Sequence, residues 1–307
     1  MKRVLVVGEI NLDLILSNYQ AFPALGREVL VEDVVSTLGS ASAIFAVGLA
    51  RLGTPVAFLG KVGADQAGEQ CLQAMRAGGV DVSRVIKDAA LKTGLTVSIT
   101  SARERALVSY LGAIAALTGA DVTDSAFSGF DHLHVSSYFL QQGLRPAIAS
   151  LFARARERGL TTSLDPGFDP SERWEADLRQ ALRSVDVFFP NEVELCALAG
   201  AAVPLDALQR LQNGRTLIVA KLGGAGCAAH EGAALVSVPA FPVETVDTTG
   251  AGDSFDAGFV HAWLQGKPLR ECLRWGAACG ALSTRGLGGT ARQADRAEVL
   301  ALLASAA

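Results

Sequence analysis

Short apolar runs rich in β-branched residues recur along the chain, at Val4 to Val7, Val56 to Leu59, Leu133 to Val135, Val187 to Phe189 and Leu217 to Ala220. Strands of this kind belong to a parallel sheet covered on both faces. Between them the apolar positions take helical spacing, over Ala41 to Leu52, Gln66 to Ala77, Arg145 to Arg158, Asp177 to Ser184 and Glu192 to Leu198. This alternation predicts an α/β chain with a doubly wound, mostly parallel sheet flanked by helices. After Phe241 the pattern is helical, over Gly250 to Gln265, Leu269 to Thr284 and Arg296 to Ala304, with glycine-rich joints.

Two segments, about 14–37 and 95–111, break the alternation. In the second, Val97, Ile99 and Thr100 lead into the polar turn Ser101 to Arg105, and Leu107 to Tyr110 follow, which reads as a hairpin. Neither segment suits a crossover helix. Together they are expected to form a small β-sheet lid on one edge of a single domain spanning residues 1–307, and no internal repeat or linker divides it.

Half of the residues are hydrophobic and the net charge is −4, with no dense basic run, so a nucleic-acid partner is not expected. No stretch reaches the roughly 20 apolar residues that span a bilayer, and the opening MKRVLVVGE is too brief for a signal-peptide core. Membrane association is not expected, and the expected compartment is the cytoplasm. The five cysteines are scattered without metal-ligand spacing and read as reduced core residues. His132 and His134 alternate along a strand with no third ligand nearby and read as structural.

The chemistry concentrates between Asp247 and Phe259. Phe255, Phe259 and Trp263 recur every four residues, so a buried helical face begins just after Gly250, Ala251 and Gly252. Unpaired amides at that start, beside side chains too small to obstruct, form an anion hole. Asp253 in the first turn is placed to accept the proton of a hydroxyl attacking a phosphoryl group there. In isolation, an acid in a first turn merely complements the helix dipole.

The full run, DTTGAGDSFDAGF, closely resembles the C-terminal signature of the ribokinase-like, or PfkB-type, carbohydrate kinases, and the chain resembles that family from end to end. The resemblance implies an ATP-dependent kinase acting on a hydroxyl of a sugar or sugar-like molecule, with magnesium, Asp253 as catalytic base and Gly250, Ala251 and Gly252 as the anion hole. It gives Asp247 and Thr249 to a monovalent cation such as potassium. The segment from Gly8 to Asp13 resembles the opening GxxNxD, which makes Asn11 and Asp13 substrate contacts. Leu38 to Gly53 resembles the N-terminal signature, with Gly39 near the substrate, but Ser40 replaces its second glycine and Ile44 its substrate-binding asparagine. Isoleucine forms no hydrogen bond, so a fully polar acceptor loses one anchor.

Pro190 to Glu194 resembles NxxE, which assigns Asn191 and Glu194 to the nucleotide and Glu194 to magnesium through water; read alone it is an ordinary helix cap. Asp165-Pro166-Gly167 resembles a phosphate-side turn with Gly167 for asparagine. Lys221 to Gly226 resembles the loop near the nucleotide phosphates, giving Lys221, Gly223 and Gly226 to ATP, although a lysine at a strand end ordinarily faces solvent. Arg285 to Thr290 is expected by analogy to close over adenine or the cation. A homodimer through the β-lid is implied as well.

Gly60-Lys61 is followed by valine, so no P-loop is present, and no GxGxxG follows the first strand, which removes a dinucleotide-dependent oxidoreductase. A nucleoside kinase or 2-keto-3-deoxygluconate kinase of the same fold stays open, as does a non-catalytic small-molecule sensor.

Overall fold

The computed structural model describes residues 1–19, 21–100, 105–174 and 177–305. The predicted turn Ser101 to Arg105 lies, but for its last residue, outside them. The chain begins β1 (Val4–Val7), β2 (Asn11–Ser17), β3 (Asp33–Leu38), α1 (Ala41–Arg51), β4 (Val56–Leu59), β5 (Lys61–Gly63), α2 (Gln66–Ala77) and β6 (Ile86–Asp88). It continues β7 (Gly94–Thr100), β8 (Arg105–Tyr110), α3 (Ala113–Ala116), β9 (His132–Val135), α4 (Arg145–Glu157), β10 (Thr161–Leu164), α5 (Asp177–Leu182), β11 (Val187–Phe188) and α6 (Glu192–Ala199). The last part is α7 (Pro204–Arg210), β12 (Leu217–Lys221), β13 (Cys227–Glu231), β14 (Ala234–Val238), α8 (Ala251–Leu264), α9 (Leu269–Ser283) and α10 (Arg296–Ser305).

Eight strands form one sheet in the order β14-β13-β12-β11-β10-β9-β1-β4. The six from β12 to β4 are parallel; β13 and β14 add an antiparallel hairpin that the sequence pattern did not predict. In β1 the alternation of side chains feeds two cores: Val4 and Val6 pack with Phe45 of α1 and Phe259 of α8, whereas Leu5 and Val7 pack with Leu151 of α4 and Leu195 of α6. All four β1 side chains are fully buried, each worth roughly 1.5–3 kcal/mol over an exposed position.

The two irregular segments pair as a separate four-stranded sheet in the order β3-β2-β7-β8. Its strand β2 starts at Asn11, three residues before the expected boundary, so Asn11 and Asp13 lie on this sheet itself. Among the described residues no helix is long and apolar enough to cross a membrane.

His132 and His134 sit on the α1 and α8 face of β9. A hydrogen-bonded row runs from Thr161 Oγ1 through His132, Ser163 Oγ and His134 to Ser136 Oγ, with distances of 2.7 to 2.9 Å. Burial holds both rings neutral, His132 down at about 3. All five cysteines are free.

Candidate active site

The start of α8 differs from those of α1, α2 and α6. In those three, early amides are taken by side chains: Ser40 accepts from Ala43, Asp65 from Gly68, and Asn191 from Glu194. The N-cap of α8 is Gly250, with φ 73° and no side chain to offer. Ala251 N turns back to Thr248 O at 3.2 Å, and the helix proper begins with Ser254 N on Gly250 O at 2.9 Å. Among the described residues no backbone carbonyl takes the amides of Gly250, Gly252 or Asp253. Of the amides expected at residues 250–252 that of Ala251 is therefore engaged, and the amide of Asp253 stands with those of Gly250 and Gly252. A long helix offering its positive end and open amides attracts an anion.

This first turn is the wall between two cavities. One, of about 220 Å³, is lined by Asn11, Asp13, Ile44, Thr96, Gly250 and Asp253 among others. The other, of about 540 Å³, is lined by Lys221, Gly223, Gly226, Phe241, Ala251 and Gly252 among others.

In the smaller cavity Asn11 Nδ2 donates to Asp13 Oδ1 and to Thr96 Oγ1, both at 2.9 Å, which ties β2 to β7 and orients the Asp13 carboxylate. Gly39 stands behind that carboxylate: a Cβ on it would lie 2.1 Å from Asp13 Oδ1. Its role is to leave room for Asp13, while Ser40 and Ala41 form the cavity wall. The Glu9 carboxylate reaches the cavity edge but is spent on the start of α1, accepting from Ser42 N and Oγ.

Below the wall lies a cluster of buried charges. Asp165, Asn191 and Lys221 follow β10, β11 and end β12, at the carboxyl edge of the parallel sheet where ligands of such sheets bind. Lys221, far from facing solvent, is 11% exposed, and its Nζ donates to Asp165 Oδ2 at 2.6 Å and to Asp256 Oδ2 at 3.2 Å. Both oxygens of Glu194 accept from Asn191, from N at 2.8 Å and from Nδ2 at 2.7 Å. That pair is thus a capping box, and neither residue lines the larger cavity. Burial and the neighbouring Asp165 push Glu194 up to about 8 and Asp253 up to about 7, against the pull of Lys221.

A sequence profile of the pfkB family carbohydrate kinases matches residues 1–295. This chain belongs to that family. The ATP-dependent ribose-1-phosphate kinase of Halopiger xanaduensis is 32% identical over 310 residues, 99% of each chain. The 2-dehydro-3-deoxygluconokinase of Bacillus subtilis is 32% identical over 271 residues, 82% of each. Among solved structures, the Arabidopsis thaliana ribokinase complexed with ribose and ATP superposes with a TM-score of 0.86 at 25% identity, covering 99% of each chain.

In this pfkB-family kinase the loop after α9 meets Asp247, one of the two residues that the resemblance gives to a cation. Asp247 accepts Thr249 N and Oγ1 on one oxygen and Gly288 N, at 2.8 Å, on the other. The loop is thereby drawn to the side of the smaller cavity: a Cβ on Gly288 would meet Thr37 Cγ2 at 3.1 Å, and one on Gly289 would meet Ile44 Cδ1 at 2.3 Å. None of residues 285–290 lines the larger cavity.

Sequence reasoning missed three residues of the kinase's site. Thr96 holds Asn11 from an adjacent strand. Ser137 lines the smaller cavity with a left-handed φ of 52°, uncommon outside glycine. Asp256 was legible only as a letter of the signature, although its i+3 spacing from Asp253 sets both on one side of α8.

Proposed function

We propose that this kinase transfers the terminal phosphoryl group of ATP to a hydroxyl of a sugar or sugar-like acceptor, with Asp253 as general base and the open start of α8 as anion hole. One observation carries the reading: Gly250 to Asp253 separate the two cavities, with Asp253 lining the smaller and Gly252 the larger. A hydroxyl in the smaller cavity meets a carboxylate, and a phosphate in the larger one meets amides, so transfer runs in line across one helical turn. The smaller cavity suits a single-ring acceptor better than a nucleoside. Asp253, raised to about 7, is a stronger proton acceptor near neutrality than an ordinary aspartate.

Magnesium, bound with ATP, would offset the negative charge of the phosphates. Among the described residues no three His, Cys, Asp or Glu side chains gather as a metal cage. Glu194 would hold that ion through water, on the lone pairs that its bonds from Asn191 leave. Under this reading residues 1–307 act as one kinase domain and the four-stranded sheet is its lid, since Thr96, Ser98, Ser109 and Tyr110 of β7 and β8 line the acceptor cavity. Val34, Leu107 and Val108, exposed on that sheet, are the surface for a homodimer.

The test is ADP release with magnesium-ATP across ribose, fructose, 2-keto-3-deoxygluconate and adenosine. Turnover with a free sugar supports the reading, adenosine or the keto acid alone shifts it to that acceptor class, and acceptor binding without turnover with any of them points to a sensor.

A further inference from the structure

Among the described residues Lys221 is the one cation in the charged cluster below the wall, and how it is held bears on the transfer. An ammonium has three donors. Two go to Asp165 Oδ2 and Asp256 Oδ2, on opposite sides of the lysine in sequence, from the β10 edge and from α8. The third has no acceptor among the described residues, and Nζ stands where it would lie 3.2 Å from a Cβ on Gly252, at the edge of the larger cavity. Asp165 is itself fixed by Gly167 N at 2.8 Å. Asp256 is 1% exposed, and its Oδ1 is buried with no hydrogen-bond partner among the described residues. An unpaired buried carboxylate oxygen is costly and calls for a reason.

We propose, on the functional reading above, that Asp256 is a positioning residue: with Asp165 it forms a two-point clamp that aims the third N–H of Lys221 past Gly252 at the phosphoryl group being transferred. Asp165 alone would let the ammonium fold back toward the β10 edge. Asp256, one turn beyond Gly252 on the same helix, pulls it to the anion hole and keeps the two in register. Burial and the neighbouring Asp165 raise the Asp256 carboxyl well above the usual carboxylate range, against the pull of Lys221.

The expected signature is selectivity for a terminal phosphate, measured by binding and so independent of turnover. Dissociation constants for AMP-PNP and for ADP, both with magnesium, are compared in the wild type, Asp256→Ala, Asp256→Asn, Lys221→Met and the double variant D256A/K221M. We expect D256A to lower the preference for AMP-PNP over ADP by about tenfold, the order set by one hydrogen bond to a charged group, with ADP affinity unchanged. D256N, whose amide oxygen accepts the same bond, retains most of the preference. K221M loses it, and D256A adds nothing in that background. If D256A does not fold, Asp256→Ser, too short to reach Nζ, carries the same expectation. Equal weakening of both nucleotides, additive losses in the double variant, or an unaltered preference in D256A each overturn the clamp and leave the kinase reading standing. A wild type that binds neither nucleotide overturns both.

Discussion

The side chain of Ile44 and the Cα of Gly289 touch so closely that a Cβ on the glycine would lie 2.3 Å from Ile44 Cδ1. Ile44 also abuts Gly250, where a Cβ would meet its Cγ2 at 3.0 Å. One buried aliphatic side chain on α1 thus packs against both the loop after α9 and the cap of α8. The position that the family resemblance gives to a hydrogen-bonding asparagine is here a packing position.

Gly289→Ala should therefore push Ile44 toward the acceptor cavity. The acceptor KM is expected to rise several-fold with the ATP KM little changed, and Ile44→Val, which removes the offending Cδ1, is expected to restore it in the double variant. Steady-state kinetics of the four proteins check this.

Asp253→Asn removes the proton acceptor and leaves the helix start intact. We expect turnover to fall by about 10²–10⁴-fold, the range for a positioned general base, with nucleotide affinity within about twofold. Because a carboxylate pushed up by burial opposes folding at neutral pH, the melting temperature should stay level or rise. Near-normal turnover would remove Asp253 from its role.

The pH profile follows from the same group. Asp253 must be ionised to accept a proton and stands near 7 rather than in the usual carboxylate range. Activity as kcat/KM should climb with pH below about 7 and level off above it; a profile flat from pH 5 to 8 would contradict the assignment.

The histidine row has a single consistent direction. Thr161 Oγ1 donates to the Asp131 carbonyl, so it accepts from His132 Nδ1–H, and the sequence propagates through Ser163 to make His134 the Nδ1–H tautomer as well. Nitrogen NMR should find both rings neutral with the proton on Nδ1. With folded-state values below 6.5, the unfolded chain binds more protons, so stability should drop as pH falls from about 6.5 toward 3. Thermal melts across that range check the sign.

The parallel core was legible because buried strands such as Val4 to Val7 carry uninterrupted apolar side chains, and α8 because Phe255, Phe259 and Trp263 mark one face. The hairpin of β13 and β14 was not, since Cys227 to Glu231 is built on alanine, which has little preference for strand. In the site, Asp253 and its glycines were readable because they are contiguous. The setting of Lys221 was not: its partners lie 56 and 35 residues away in sequence, and only the folded sheet edge brings them together. The placement of Gly39 behind Asp13, and of the Gly288 loop on the acceptor side, likewise depends on contacts between distant segments.

A single turn of α8, about 5.4 Å of rise, is all that parts the two cavities. One molecule can straddle it: an adenosine polyphosphate joined at its far end to a sugar-sized group would fill both chambers at once. Such a tethered inhibitor would gain from the chelate effect, and the branched methyls of Ile44 at one end would distinguish this enzyme from relatives that keep an amide there.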